Sequence, residues 1–197
     1  MNGGAAMARF SHISGDRALD LVNTVEWRLS RNSREEDLGT YEDVVAWCLE
    51  AGLLDGDEAD ALLATSVECG TAEHALVLRL REALYRALFT DDADAGRIIT
   101  EELHQSVAAA DYVPADDGWC WTDRQLTGAT ARHRIARAIM VLLARSDLDR
   151  LHQCEDAYCG WVFLDESRAR NRRWCVTRDC GDRNRSRAYY ARQKILS

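Results

Sequence analysis

"CEDAYCGWVFLDESRARNRRWCVTRDCGDRNRSRAYYARQK", residues 154–194, contains one short phrase twice: Cys-x4-Cys-Gly, first over residues 154–160 and again over residues 175–181. Two chelating pairs of thiols suit a tetrahedral zinc ion, which takes sulfur at about 2.3 Å and needs no large core around it. Gly160 and Gly181 stand directly after the second cysteine of each pair. Glycine there permits the sharp turn, often at positive φ, that points both sulfurs of a loop at one ion. The spacing therefore assigns Cys154, Cys159, Cys175 and Cys180 as ligands of one structural zinc. With all four positions of the metal filled, no site is left open for catalysis.

Between the pairs, Trp161-Val162-Phe163-Leu164 and Arg172-Arg173-Trp174-Cys175-Val176 are β-prone and predict a hairpin with residues 165–171 as its turn. After Cys180, Asp182 is placed to cap a helix carrying Arg183, Arg185, Arg187, Tyr189, Tyr190, Arg192 and Lys194. Loop, hairpin, and a helix whose start brings the last ligands: this is the layout of a treble-clef zinc finger.

The rest of the chain has a different character. Its 197 residues carry a net charge of −8, unevenly placed. Residues 1–150 hold 15 arginines against 27 acids, −12, whereas residues 151–197 hold 10 basic residues against 6 acids, +4. Whole-chain acidity argues against a polyanionic partner; the C-terminal part alone admits one. The length allows one large domain, or one domain and a small appendage. The charge step divides the chain into residues 1–150 and 151–197, with a single proline, Pro114, and no low-complexity linker. Seven cysteines, odd in number and four of them regularly spaced, favour metal over cross-links in a reducing cytosol. No signal-like start and no run of about 18 apolar residues is present, so a cytoplasmic protein without a membrane is expected.

In the first 150 residues the apolar spacing is mainly helical. Residues 16–29 predict a helix capped by Asp16, and Thr40-Tyr41-Glu42-Asp43 opens another as a capping box, ending near Gly52. Residues 57–68, 71–89, 92–110 and 128–145 predict four more. Tyr112-Val113-Pro114 and Trp119-Cys120-Trp121-Thr122 flank an Asp-Gly turn and predict a hairpin. The fold class is then α+β: a mostly helical N-terminal domain with a small β hairpin, followed by a C-terminal treble-clef zinc finger. Trp119 and Trp121 read as core, and Cys48, Cys69 and Cys120 as small buried hydrophobes.

Asp20, Asn23 and Thr24 interrupt an apolar helix and need partners if they turn inward. They either line a ligand-binding site or cap neighbouring loops, the latter being the favoured reading. No His-Glu-x-x-His, Gly-rich phosphate loop or Gly-x-Ser-x-Gly elbow is present, and the five histidines show no ligand spacing, so a non-enzyme is expected.

Leu148-Asp149-Arg150-Leu151 followed by the doubled Cys-x4-Cys-Gly, with "CGDRNRSRAYYARQ" after it, resembles the CGNR-type zinc finger. "ALDLVNTV", residues 18–25, resembles the opening motif of the ABATE domain, to which that finger is usually fused. The resemblance implies a stress-induced transcription regulator: an N-terminal domain that binds a ligand, and a zinc finger that binds DNA. It carries the zinc over to the same four cysteines. One residue departs from the signature: the family's Cys-Gly-Asn-Arg is here Cys180-Gly181-Asp182-Arg183. Aspartate caps a helix as well as asparagine does, but it has no hydrogen to donate.

The arginines supply the surface chemistry. Arg168, Arg170, Arg172 and Arg173 fall at the predicted hairpin turn, and Arg183, Arg185 and Arg187 on the first turns of the helix, whose start favours anions. Arg170, Arg173, Arg183 and Arg187 are the candidate nucleic-acid contacts, with DNA the favoured partner. The opposing reading is a protein-interaction module whose basic finger docks on its own or another protein's acidic surface. A homo-oligomer is compatible with either.

Overall fold

The computed structural model describes residues 8–64, 67–90, 92–116 and 118–196. In chain order its elements are α1 (Arg17–Val22), β1 (Val25–Glu26), β2 (Glu35–Glu36), α2 (Tyr41–Glu50), α3 (Gly56–Leu63), α4 (Val67–Phe89) and α5 (Ala93–Ala108). There follow β3 (Ala110–Ala115), β4 (Gly118–Asp123), α6 (Thr130–Leu143), β5 (Leu151–Gln153), β6 (Val162–Leu164) and α7 (Asp182–Leu196), with a 3-10 turn at Leu148–Arg150 and a π turn at Thr177–Gly181. The strands form three antiparallel pairs, β1–β2, β3–β4 and β5–β6, and the mostly helical α+β expectation holds. Among the described residues no helix is long and apolar enough to cross a membrane.

Two compact units form: Met1–Ser11 with Leu38–Ala144, and His12–Asp37 with Arg145–Ser197. The second unit thus joins segments that lie far apart in sequence, whereas the division at residue 150 read from charge runs along the chain.

In the first unit the helix starts are written in the sequence. Thr40 and Asp43 exchange side-chain and backbone hydrogen bonds as a capping box for α2. Asp55 and Glu58 do the same for α3, and Asp92 caps α5. Gly52, at φ +66°, ends α2 in a conformation that only glycine adopts freely. Val44, Val45 and Trp47 of α2, Val77, Leu80 and Leu84 of α4, and Ile135, Ile139 and Leu142 of α6 are buried and form the interior.

Helix α6 also buries charge. Arg132 donates to Glu73 (2.7 Å), to Glu102 and to Gln105 (3.1 Å). Arg137 holds Asp123 (2.6 Å) and the Ser106 carbonyl (3.1 Å), and Arg134 clamps Glu58 through two nitrogens at 2.6 Å each. One helix thereby fastens α3, α4, α5 and the end of β4 through charge-assisted bonds.

The predicted β3–β4 hairpin forms, with Tyr112 opposite Trp121 and Pro114 opposite Trp119. Its tryptophans, however, are not core. Trp119 is 61% exposed, and its ring packs across the ribbon on Tyr112, 5.7 Å between centroids. Eight of the twelve residues in the two strands are exposed, and the aromatic packing seen here runs between the strands. Of the three isolated cysteines only Cys48 is buried; Cys69 and Cys120 are exposed.

In the second unit α1 starts after Asp16, whose carboxylate accepts from Ala18 N at 2.8 Å. It stops at Val22, well short of residue 29. The reason lies in Asn23, whose Nδ2 donates to Val162 O (2.9 Å) and whose Oδ1 accepts from Val162 N (2.8 Å), adding a side-chain rung to β6. Asn23→Ala leaves both backbone groups of Val162 buried without partners. A loss of about 2–4 kcal/mol is expected, readable as a lower urea midpoint; an unchanged midpoint would refute the rung.

The C-terminal hairpin is not the one the sequence predicts. β6 pairs with β5, which precedes the first cysteine, in the register Leu151↔Leu164. Residues 172–176 form no strand. The buried carboxylate of Asp165 explains this: it accepts from Ser167 N (2.9 Å) and Arg172 N (2.8 Å), closing residues 165–172 into a loop. A hydrogen bond with the Ser167 side chain, together with these backbone bonds, holds its pKa down at about 2.

Candidate metal centre and its basic surface

The β5–β6 hairpin carries the first pair of thiols. Cys154 follows β5 and Cys159 precedes β6, the loop being closed by Cys154 N to Trp161 O at 2.7 Å. Gly160 has φ +74°, and a Cβ there would lie 2.9 Å from Arg28 Cβ and Leu29 Cγ. Backbone freedom and small size are therefore both required. Gly181 has no positive φ; an added Cβ would lie 3.0 Å from Trp174 Cδ1, so only its size matters.

All four sulfurs lie within 4.8 Å of one another, and all four residues are buried. Cys159 Sγ lies 3.6 Å from Cys175 Sγ, which lies 3.5 Å from Cys180 Sγ. A tetrahedron with 2.3 Å arms has edges of about 3.8 Å, so the donor set fits zinc. Hydrogen bonds from Cys159 and Cys175 favour the Cys154 thiolate, whereas burial pushes the Cys180 thiol up to about 11. Metal uptake must therefore release protons, and affinity falls as pH falls. His152 is exposed and packs on Phe163, outside the thiol cluster.

A buried carboxylate ties α7 to this site. Asp156 Oδ1 accepts from Tyr158 N (3.0 Å), and Oδ2 accepts from Arg183 Nε (3.3 Å), Asn184 Nδ2 (2.8 Å) and Arg187 (3.2 Å). Arg183 also donates to Cys180 Sγ at 2.9 Å, pairs with Asp179, and lies 4.4 Å over the Trp27 ring. Its charge offsets the thiolates. Asp182 does not cap α7: its φ of −65° and ψ of −42° are helical, the preceding π turn leads straight into the helix, and its carboxylate pairs with Arg185.

The four arginines singled out by sequence fall into two groups. Arg170 pairs with Asp149 (3.1 Å) and Arg173 with Glu155, both 56% exposed or more, where ion pairs are weak and easily exchanged. Arg187 is 42% exposed and lies 5.0 Å over Tyr158, while Arg183 is half-buried and held by Asp156. Arg172, not singled out, stacks 4.0 Å over Phe163 and donates to Cys175 O at 2.6 Å. Asp20, Asn23 and Thr24 are brought together but face inward: Asp20 accepts from Ser14 N (3.0 Å) and Thr24 Oγ1 donates to Leu21 O (2.7 Å). Asn23 is spent on Val162.

Sequence reasoning passed over Glu26. Burial, then the charges of Asp37, Asp179 and Glu35, push its pKa up to about 7. An acid raised in the fold penalises folding once ionised, so its cost is absent below about pH 4.5 and complete above about pH 7. Glu26→Gln should therefore stabilise the chain above pH 7 by about 1–2 kcal/mol after solvent screening and leave it unchanged below pH 4.5. Thermal melts at two pH values check this; equal gains at both would show that charge is not the cause.

Residues 150–193 match the CGNR zinc finger family. Residues 15–146 match ABATE, described as "Putative stress-induced transcription regulator". The chain belongs to the ABATE family. With the finger match covering the four clustered thiols, its cofactor is zinc. Both ABATE and the CGNR finger are regulator or zinc-finger families rather than enzyme families. Among curated proteins, none matches this ABATE chain.

Proposed function

We propose that the chain regulates transcription by binding duplex DNA through α7 and the arginines around the zinc site, with the larger unit receiving the ligand or stress signal. One observation carries this reading. From Arg185 to Lys194 every residue of α7 is exposed, Tyr189 by 53% and Tyr190 by 66%. Along α7 to Lys194, five cations stand against one acid. Helices gain most of their stability by packing a face, and this one packs only its first turns. A helix about 10–12 Å across fits a major groove about 12 Å wide, and cationic charge supplies the sequence-independent part of the affinity. A cysteine loop carried inside the β5–β6 hairpin, followed by a helix that starts at the second cysteine pair, supports a treble-clef finger as the presenting module.

Internal pairing of Arg170, Arg173, Arg183 and Arg187 favours a second reading, in which the finger is a protein-docking module. A mobility-shift experiment separates the two. Zinc-loaded chain should retard duplex DNA, and the metal-stripped chain should not. Arg192→Glu, at an exposed position without an ion pair among the described residues, should weaken the shift about tenfold or more. Equal retardation by all three, or none by any, would overturn the DNA reading.

A further inference from the structure

The arginine-rich turn at residues 28–34, "RLSRNSR", contains three arginines and no acid. It lies in the same compact unit as the finger. Leu29 N donates to Tyr158 O (3.1 Å), and residues 28 and 29 fill the space left by Gly160. Trp27 enters the turn at φ +49°, a left-handed conformation that a bulky side chain adopts only under strain. The Arg183 guanidinium over its ring helps hold it there. Between this turn and α7 lies a cleft of about 560 Å³ lined by Trp27, Ser30, Asn32, Ser33, Tyr158 and Arg187.

We propose that this cleft grips the sugar-phosphate backbone of the duplex whose major groove receives α7. The inference rests on the DNA reading above. A helix lying in a major groove has a phosphate strand along each flank, because helix and groove are of nearly equal width. Arg187 belongs to α7 and forms one wall of the cleft, so a strand on that flank meets the opposite wall, Ser30, Asn32 and Ser33. Hydroxyl, amide and guanidinium are the usual partners of phosphate oxygens, which they position without reading sequence. Ser30 Oγ already accepts from Ser33 N (3.2 Å) and shapes the turn. Asn32 and Arg31 are exposed, with no hydrogen bond or ion pair from their side chains among the described residues. They are the groups free to reach the backbone.

The test is fluorescence anisotropy of zinc-loaded chain on two unrelated duplexes across a salt series, with zinc content measured for every variant. Arg31→Glu should weaken binding about tenfold on both sequences and lower the slope of log affinity against log salt by about 1–2. Asn32→Ala, which removes no charge and no fold contact, should weaken binding severalfold on both with the slope unchanged. Arg192→Ala reports on α7 alone. If wild type binds and Arg192→Ala weakens it while both turn variants bind as wild type, the cleft assignment fails and the DNA reading stands. If wild type binds neither duplex, both fail. Saturation of the turn by millimolar nucleoside monophosphate, without any effect on duplex affinity, would give the cleft to a free phosphate compound and overturn the proposal.

Discussion

Cys175→Ser is expected to lose the zinc ion and, with it, the fold of the unit formed by His12–Asp37 and Arg145–Ser197. The sulfur of Cys175 lies within 3.6 Å of two other ligand sulfurs, and a serine hydroxyl is a poor zinc ligand. The apolar cluster there consists of the four cysteines with Trp161 and Phe163, joined at its margin by Ile13, Trp174 and Val176. Remove the metal and four of the six buried residues of that cluster become thiols pressed together without a centre. Structural zinc contributes about 10–16 kcal/mol in small fingers, comparable to the whole stability of an ordinary domain. Native mass spectrometry should show one zinc per wild-type chain and none in the variant. Amide exchange should then show lost protection from residue 151 to residue 194 with α4, α5 and α6 still protected. Cys69→Ser, at an exposed cysteine outside the cluster, should keep its metal. A Cys175→Ser chain with one zinc and wild-type exchange would refute the assignment.

Arg132→Leu is expected to cost the first unit about 3–5 kcal/mol. Its guanidinium is nearly fully buried and is the shared partner of Glu73 and Glu102, whose side chains are 13% and 5% exposed. Leucine fills much of the volume but strands two carboxylates in the interior. The loss therefore comes from uncompensated charge more than from packing. Adding Glu73→Gln and Glu102→Gln to the same chain should recover part of it, since the neutral amides are cheaper to bury. Urea unfolding of the three chains measures this. A single variant within about 1 kcal/mol of wild type would show the pairs to be ordinary surface bridges.

What the sequence could disclose followed the range of its interactions. The doubled Cys-x4-Cys-Gly, the Thr40 capping box and the Tyr112–Trp121 hairpin depend on residues a few positions apart, and each is found in the structure. Asn23 stood out as a polar residue in an apolar run, but its partner Val162 lies 139 residues away, and no local pattern points there. The C-terminal hairpin differs from the one the sequence predicts because β propensity at residues 172–176 is outweighed by one buried carboxylate, Asp165. Arg132 and Arg137 on α6 carry the charge usual of a solvated face, yet both are buried. Arg183, a candidate nucleic-acid contact by sequence, is paired with Asp156, Asp179 and Cys180, and the acid between the first two cysteines is the local sign of that pairing.

Binding of zinc-loaded chain to a random duplex across a salt series decides whether α7 meets DNA. An exposed cationic α7 predicts that log affinity falls linearly with log salt, each phosphate contact adding about −0.9 to the slope, and that chelation abolishes binding. No binding at low salt, or an affinity indifferent to salt and to chelation, would contradict it and leave the zinc unit a protein-docking module.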